Sequence, residues 1–390
     1  MKLVFYSLFL NHHQACVADE FYDILGDNYA FVELSGAYDS KGATEDYSKR
    51  PYLVKAWESA EAWQKAMDLA ETAEVCVFGG YEALPFEKAR MKRGLLSFDM
   101  GERMLKRGWL NLASPRILKM IMAYHLGGWN KKSLYKLCMS AFTKQDQYRL
   151  RSFKDKCFKW GYFTSVEISG CENFVEASTD VSTSGIAPLM WCSRYLMWKH
   201  PELPVQMAKR LKDKGYRFLL SMYGDEGMAA KHDGVYPKVK LESLIAELGV
   251  GDCVRLMGNR PNNEILEAMR KSDIFLFTSD RLEGWGAVAN ESMANGCALV
   301  ASDAIGSSPY LIENGFNGFM FKSCDVESLT EKVEWLLTHP ENLAQMKRNA
   351  YERMRDVWSP RCAAKALLQL IEDLKCGKET SLLSGPCSKA

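Results

Sequence analysis

Short apolar runs that end in a polar or glycine turn, each followed by a helical stretch, recur along this chain in two separate series. The first series opens with residues 3–10, continues with 75–78 before Gly79-Gly80, and includes 94–98 and 134–139. The second comprises 189–192, 218–223 before Gly224-Asp225, 254–257 before Gly258, 274–277 and 297–301. Strand-like runs alternating with helices imply parallel sheets covered by helices on both faces. Residues 170–185, rich in Ser, Thr, Asp and Gly, read as a linker between the series. With 390 residues the chain is long for one core. The expected fold class is α/β, with two doubly wound Rossmann-like domains facing across a cleft. The expected spans are 1–172, 173–358, and a C-terminal helix with a polar tail over 359–390. Ligands of such sheets sit at the carboxyl ends of the strands.

Composition removes several classes. Hydrophobic residues make up 47% and charged residues 25%, an ordinary globular balance. No apolar run has the length of a membrane-spanning helix. The first apolar run lacks a small-residue cleavage site and reads as a buried strand rather than a signal peptide. The 12 cysteines include no C-x-x-C pair, and many lie in apolar runs. That pattern fits a reducing cytoplasm better than a disulfide framework or zinc site.

The segment from Asp280 to Asp303 carries the strongest chemical signal. Glu283 falls in the turn after the 274–277 strand. Gly284 and Gly286 allow close backbone approach to a ligand. A helix beginning near Gly286 carries Glu291, and amide N–H groups at its start suit a phosphate. The two carboxylates can accept hydrogen bonds from hydroxyls at both ends of one ligand, as in a sugar and a ribose flanking a diphosphate. A bare pair of glutamates eight positions apart is also a common solvated arrangement. Here a strand precedes the pair and the run 296–303 follows it, then Gly306 and the turn at Asn314-Gly315.

This pattern resembles the signature of family 4 retaining glycosyltransferases, which have the GT-B fold. The resemblance covers about residues 189–356 well and the first half weakly. It implies that Glu283 contacts a donor sugar, that Glu291 holds ribose hydroxyls, and that backbone around Gly284, Trp285 and Gly286 meets sugar and diphosphate. Arg194 and Lys199, five apart after a strand, match a second family pattern. Two fixed cations can stabilise a departing diphosphate; alone they would read as surface charge. Gly224, Gly258 and Arg260 fall where the family has further donor loops. No D-x-D triplet occurs, so no metal or other cofactor is expected beyond the nucleotide-sugar co-substrate.

The first half departs from the family. Its first loop reads Asn11-His12-His13-Gln14 instead of paired glycines. His12 and His13 either line the cleft or are solvated. Where the family places a sugar-contacting His, Asp99 and Glu102 stand instead, as possible replacements or as a helix cap and a solvated residue. His125 reads as structural.

Charge is segregated. From Lys88 to Trp160 there are 18 Lys/Arg against 4 Asp/Glu, while the rest of the chain is net acidic. Interleaved with Trp109, Leu110 and Leu118, this suggests either a surface for an anionic membrane or a solvated basic face over a core. No nucleic-acid motif accompanies it. The expected protein is a metal-independent hexosyltransferase in the cytoplasm or on the inner face of the cell membrane. It would transfer sugar from a nucleoside-diphosphate sugar to a saccharide or lipid-linked acceptor. A sugar-nucleotide epimerase and a non-catalytic scaffold are the alternatives.

Overall fold

The computed structural model describes residues 1–36, 46–166, 185–227 and 234–390. Two compact units form: residues 1–164 with 357–390, and residues 165–356. The predicted boundary at residue 172 lies outside the described residues.

In the first unit seven strands make one parallel sheet in the order β3-β2-β1-β4-β5-β6-β7. They are β1 (Leu3–Ser7), β2 (Tyr29–Glu33), β3 (Leu53–Lys55), β4 (Val75–Gly79), β5 (Ser97–Gly101), β6 (Leu134–Cys138) and β7 (Cys157–Lys159). Strands β1, β2 and β4 are buried at every position, as strands covered on both faces must be. Strand order reverses between β1 and β4, so the end of β1 is this sheet's switch point. The edge strand β7 is covered by the tail. Phe158 bridges Lys389 antiparallel, and Lys159 N donates to Ser388 O at 2.9 Å. That protects an otherwise unpaired edge.

Helix α1 (His12–Leu25) takes in most of the segment expected from the sequence to be the first loop. The Asn11 side chain caps it by accepting from Gln14 N at 3.0 Å, so His12 and His13 form its first turn and not a loop. The helices α2 (Ala60–Thr72), α3 (Leu84–Arg93), α4 (Pro115–His125) and α5 (Thr143–Arg149) complete the first series. The last helix of the chain, α13 (Pro360–Lys375), packs on α1 inside this unit.

The basic segment is partly internal. Arg90 is fully buried, and its guanidinium donates to the carbonyls of Ala70, Ala73, Glu74 and Leu96 and to Ser97 Oγ. Its fixed fork satisfies several loop ends at once. Lys156 likewise donates to the carbonyls of Asn130 and Lys132, and Arg103 pairs with Asp146.

Beneath the sheet lies a buried ionic cluster. Lys136 Nζ is 2.7 Å from Asp99 Oδ1, both almost wholly buried, and Tyr124 OH donates to the other Asp99 oxygen. Asp99 therefore lies within β5, inside the core, and is neither a helix cap nor a loop residue. Glu87 on α3 is buried nearby, and burial followed by the Asp99 charge pushes its carboxyl well above the usual range.

In the second unit six parallel strands take the order β10-β9-β8-β11-β12-β13. They are β8 (Ala187–Cys192), β9 (Phe218–Tyr223), β10 (Val254–Gly258), β11 (Ile274–Phe277), β12 (Ala298–Ser302) and β13 (Gly318–Phe321). The helices are α6 (Glu202–Asp213), α7 (Lys238–Glu247), α8 (Asn262–Arg270), α9 (Val288–Ala294), α10 (Ser308–Leu311), α11 (Val326–Thr338) and α12 (Pro340–Asp356). Order reverses between β8 and β11, which are direct neighbours with Leu189 paired to Ile274. Their carboxyl ends define this unit's switch point.

The buried cluster in the first unit yields opposite mutational signs. Lys136→Met leaves Asp99 buried without its cation and should lower unfolding free energy by about 3–5 kcal/mol. Glu87 has a raised pKa, so its contribution is complete below the unfolded value near 4.5 and falls as pH rises above it. Glu87→Gln should remove that fall and raise the urea midpoint at pH 7; urea titrations across pH check both.

Candidate functional site

Two loops leave the switch point of the second unit side by side. One follows β8 and runs from Ser193 to His200. The other follows β11 and runs from Thr278 to Ala287. Thr278, fully buried, joins them: its hydroxyl accepts from Trp191 Nε1 at 2.9 Å and donates to Lys199 O at 2.7 Å. A second tie runs from Asp280 N to Trp198 O at 2.9 Å. The backbones of both loops are thereby fixed before any side chain meets a ligand.

On this frame Lys199 meets Glu283. Lys199 Nζ donates to Glu283 Oε2, and both side chains are about nine-tenths buried. Ser279 Oγ donates to the same carboxylate oxygen at 2.9 Å. The ammonium also lies over the Trp198 ring, 4.3 Å from its centroid. A buried ion pair seldom adds net stability over apolar replacements. Its place at the switch point, on strand-end loops, gives it a chemical reading instead.

Gly286 sets the turn's shape. Its φ is +82°, and a Cβ there would lie 2.3 Å from Phe277 Cζ. Only glycine satisfies both conditions. Trp285 points inward: its indole is fully buried and donates to Asn290 Oδ1 at 2.7 Å, so only its backbone can face a ligand. Helix α9 starts at Val288 rather than at Gly286, which places Glu291 one turn in. Burial pushes the Glu291 carboxyl up to about 7.

The other predicted donor residues lie on the same strand ends. Gly224 follows β9 with φ +125°, and a Cβ there would sit 1.9 Å from Ser193 O; glycine lets the β9 and β8 loops touch. Gly258 ends β10 with φ +71° and open space beside it. Arg260 is exposed, with Nε donating to Met257 O at 3.1 Å. Arg194 is exposed directly after β8, while Lys199 is buried; the two cations are in different surroundings.

In the first unit, His12 and His13 stand at that sheet's own switch point. Their rings are 3.7 Å apart, and His13 lies 5.6 Å from Tyr162. Burial, then the neighbouring His12, pushes His13 down to about 3, so it is neutral at physiological pH. Glu102 pairs with Lys106 at 2.6 Å, half-exposed. His125 Nε2 donates to Leu150 O at 2.9 Å.

Several site residues escaped sequence reasoning. Thr278 and Ser279 are small polar residues after a strand, without a motif to mark them. His200 is a further case. Its φ of +50° is costly for a non-glycine residue. Nδ1 lies 2.9 Å from Glu202 Oε1 and Nε2 lies 3.5 Å from Asp280 Oδ2. These partners push His200 up to about 10. The imidazolium thus links the start of α6 to the turn that carries Glu283. Ser307 and Ser308, after β12, are buried with hydroxyls that have no partner among the described residues.

The His200 link has a thermodynamic consequence. A histidine raised from 6.5 to about 10 contributes stability that is complete below 6.5 and lost as pH rises toward 10. The thermal midpoint of the wild-type chain should fall over that window, and His200→Gln should flatten the fall; calorimetric scans at successive pH values check it.

Comparison with known proteins bears on the fold and on the second unit. Residues 189–353 match the family model of glycosyl transferases group 1. Trehalose synthase of Pyrococcus horikoshii is 30% identical over 168 residues, which is 42% of this chain and 38% of that protein. The amylovoran biosynthesis glycosyltransferase AmsK of Erwinia amylovora is 25% identical over 177 residues, 44% of this chain and 40% of its own. The chain thus spans about two fifths of the length of these relatives. Among solved structures, Anabaena HepE in complex with UDP superposes with a TM-score of 0.70 at 14% identity, covering 96% of this chain and all of that one. Sucrose-phosphate synthase of Thermosynechococcus elongatus superposes at 0.66 with 13% identity, covering 97% of this chain and all of its own. With both sheets doubly wound and the paired loops at the second switch point, the chain has the GT-B fold, and residues 189–353, less than half of it, are similar to the glycosyl transferases group 1 family.

Proposed function

We propose that this chain is a glycosyltransferase that moves a hexose from a nucleoside-diphosphate sugar to an acceptor hydroxyl with retention of anomeric configuration. The observation that carries the proposal is the buried Lys199–Glu283 pair at the β8–β11 switch point. The neighbour HepE has been crystallised with UDP, with UDP and glucose, and with UDP-glucose, which supports a nucleotide-sugar donor.

In this reading Glu283 accepts hydrogen bonds from donor-sugar hydroxyls, and Glu291 accepts them from the ribose. Glu291 does so as the carboxylate, which its pKa of about 7 leaves half formed at neutral pH before a ligand arrives. Backbone around Gly284, Trp285 and Gly286 approaches the diphosphate. Arg194 and Lys199 meet the negative charge that grows on the leaving diphosphate, so the charge can be balanced without a metal ion. The sugar C1–phosphate oxygen bond breaks, and a bond from C1 to the acceptor oxygen forms on the same face. The acceptor's proton passes to the departing phosphate oxygen, so no protein base is required. Gly224, Gly258 and Arg260 surround the nucleotide base. His12 and His13, neutral and at the end of β1, serve the acceptor, a saccharide or a lipid-linked saccharide.

Glu283→Gln keeps the shape but weakens the pull on Lys199 and on the sugar. It should reduce kcat by about 100- to 1000-fold, the range for losing one preorganised group aimed at the transition state. Nucleoside-diphosphate affinity should change little. Release of nucleoside diphosphate measures the rate, inhibition by added nucleoside diphosphate measures the affinity, and proton NMR of the product's anomeric centre reads the configuration. Full activity of Glu283→Gln, or an inverted product, would overturn the reading.

A further inference from the structure

The region from Arg103 to Gln145 contains nine Lys/Arg and no Asp or Glu. Part of that charge is spent inside the fold, but the section around α4 is not. A 3₁₀ segment (Gly108–Ala113) precedes α4 (Pro115–His125) and leaves Trp109 59% and Leu110 79% exposed.

Helix α4 is apolar on two sides. Its inner side places Tyr124, fully buried, against the core, with Met120 and Ala123 packed beside it. Its outer side carries Leu118, Met122 and, just past its end, Leu126, exposed by 44%, 54% and 81%. Positions i, i+4 and i+8 stack along one helix face. The inner side accounts for the fold; the outer stripe does nothing for it. Arg107, Arg116 and Lys119 are exposed around this apolar surface. Arg116 and Lys119 lie over the Tyr81 ring at 5.7 and 5.9 Å, which holds their charges on the same side of the unit.

We propose that Trp109, Leu110, Leu118, Met122 and Leu126 dock this chain on an anionic lipid bilayer. The chemistry selects that occupant. Exposed aliphatic side chains gain by entering the acyl boundary, and an indole suits the headgroup level. The positive charge of Arg107, Arg116 and Lys119 around them matches anionic headgroups, and each nearby Lys or Arg strengthens attachment. A protein partner of ordinary surface would meet that charge with mixed signs. An interfacial helix of this kind lies in the plane of the surface, and α4 is too short to span it.

Vesicle binding needs no donor or acceptor, so its failure is separable from failure of the transferase reading. The full chain is sedimented with vesicles of phosphatidylcholine alone and with vesicles containing phosphatidylglycerol. Salt is set at about 0.05 M and about 0.5 M, where the screening length falls severalfold. The expected result is at least tenfold more binding to the anionic vesicles at low salt, with most of it lost at high salt. Leu118→Ser with Met122→Ser should reduce that binding at least tenfold. Both positions are exposed, and an unchanged urea midpoint verifies the fold. Arg116→Ser with Lys119→Ser should lower the preference for anionic lipid. Equal binding to both vesicle types, no binding to either, or an unaltered Leu118/Met122 double variant would overturn the proposal. So would a concentration-dependent dimer in vesicle-free solution that the same double variant abolishes, since the stripe would then be an interface between copies.

Discussion

One hydroxyl holds the candidate site in place. Thr278 accepts from Trp191 on β8 and donates to the carbonyl of Lys199, so a buried side chain at the end of β11 fixes the backbone of the loop after β8. Asp280 N, bonded to Trp198 O, repeats the tie one step further out. Without these bonds Lys199 and Glu283 would each end a mobile loop, and bringing them together would cost side-chain and backbone entropy. With them, the pair forms on rigid scaffolding. Gly286 follows from the same constraint: the turn that brings Glu283 back over Phe277 has no room for a Cβ. His200 closes the arrangement from the other side, where Asp280 and Glu202 hold its charge.

Much of the fold was legible because buried parallel strands announce themselves as continuous apolar runs. The spans 218–223 and 274–277 were read with the bounds the structure gives. Elements with mixed composition were harder. Strand β2 (Tyr29–Glu33) contains Ala and ends in Glu, and β13 (Gly318–Phe321) opens with Gly, so neither stood out. The end of β5 was cut short at Asp99 because a carboxylate reads as a turn. Nothing local reveals that Lys136, 37 positions later on the adjacent strand, neutralises it. At α1 the polar Asn11 and the two histidines looked like loop until the cap geometry showed them to be the helix's first turn.

For the candidate site, the glutamates and glycines were visible because they stand at a spacing that a strand-to-helix turn facing a ligand would need. The supporting residues were not. Thr278, Ser279 and His200 act through contacts between loops that only the pairing of β8 with β11 creates. The excess of positive charge was visible as composition, yet its meaning was mixed. Arg90, Lys136 and Lys156 satisfy carbonyls and a carboxylate inside the first unit, whereas Arg107, Arg116 and Lys119 remain at the surface. Composition sums these two uses, and only burial separates them.

The central claim is that the strand ends around β8 and β11 hold a nucleoside-diphosphate sugar. Isothermal titration calorimetry of the full chain with UDP-glucose and GDP-mannose tests it most directly. The account predicts saturable one-to-one binding of at least one of them, weakened at least tenfold, or about 1.4 kcal/mol, by Glu291→Gln. Absence of binding to both, or a Glu291→Gln protein that binds as tightly as wild type, would contradict it.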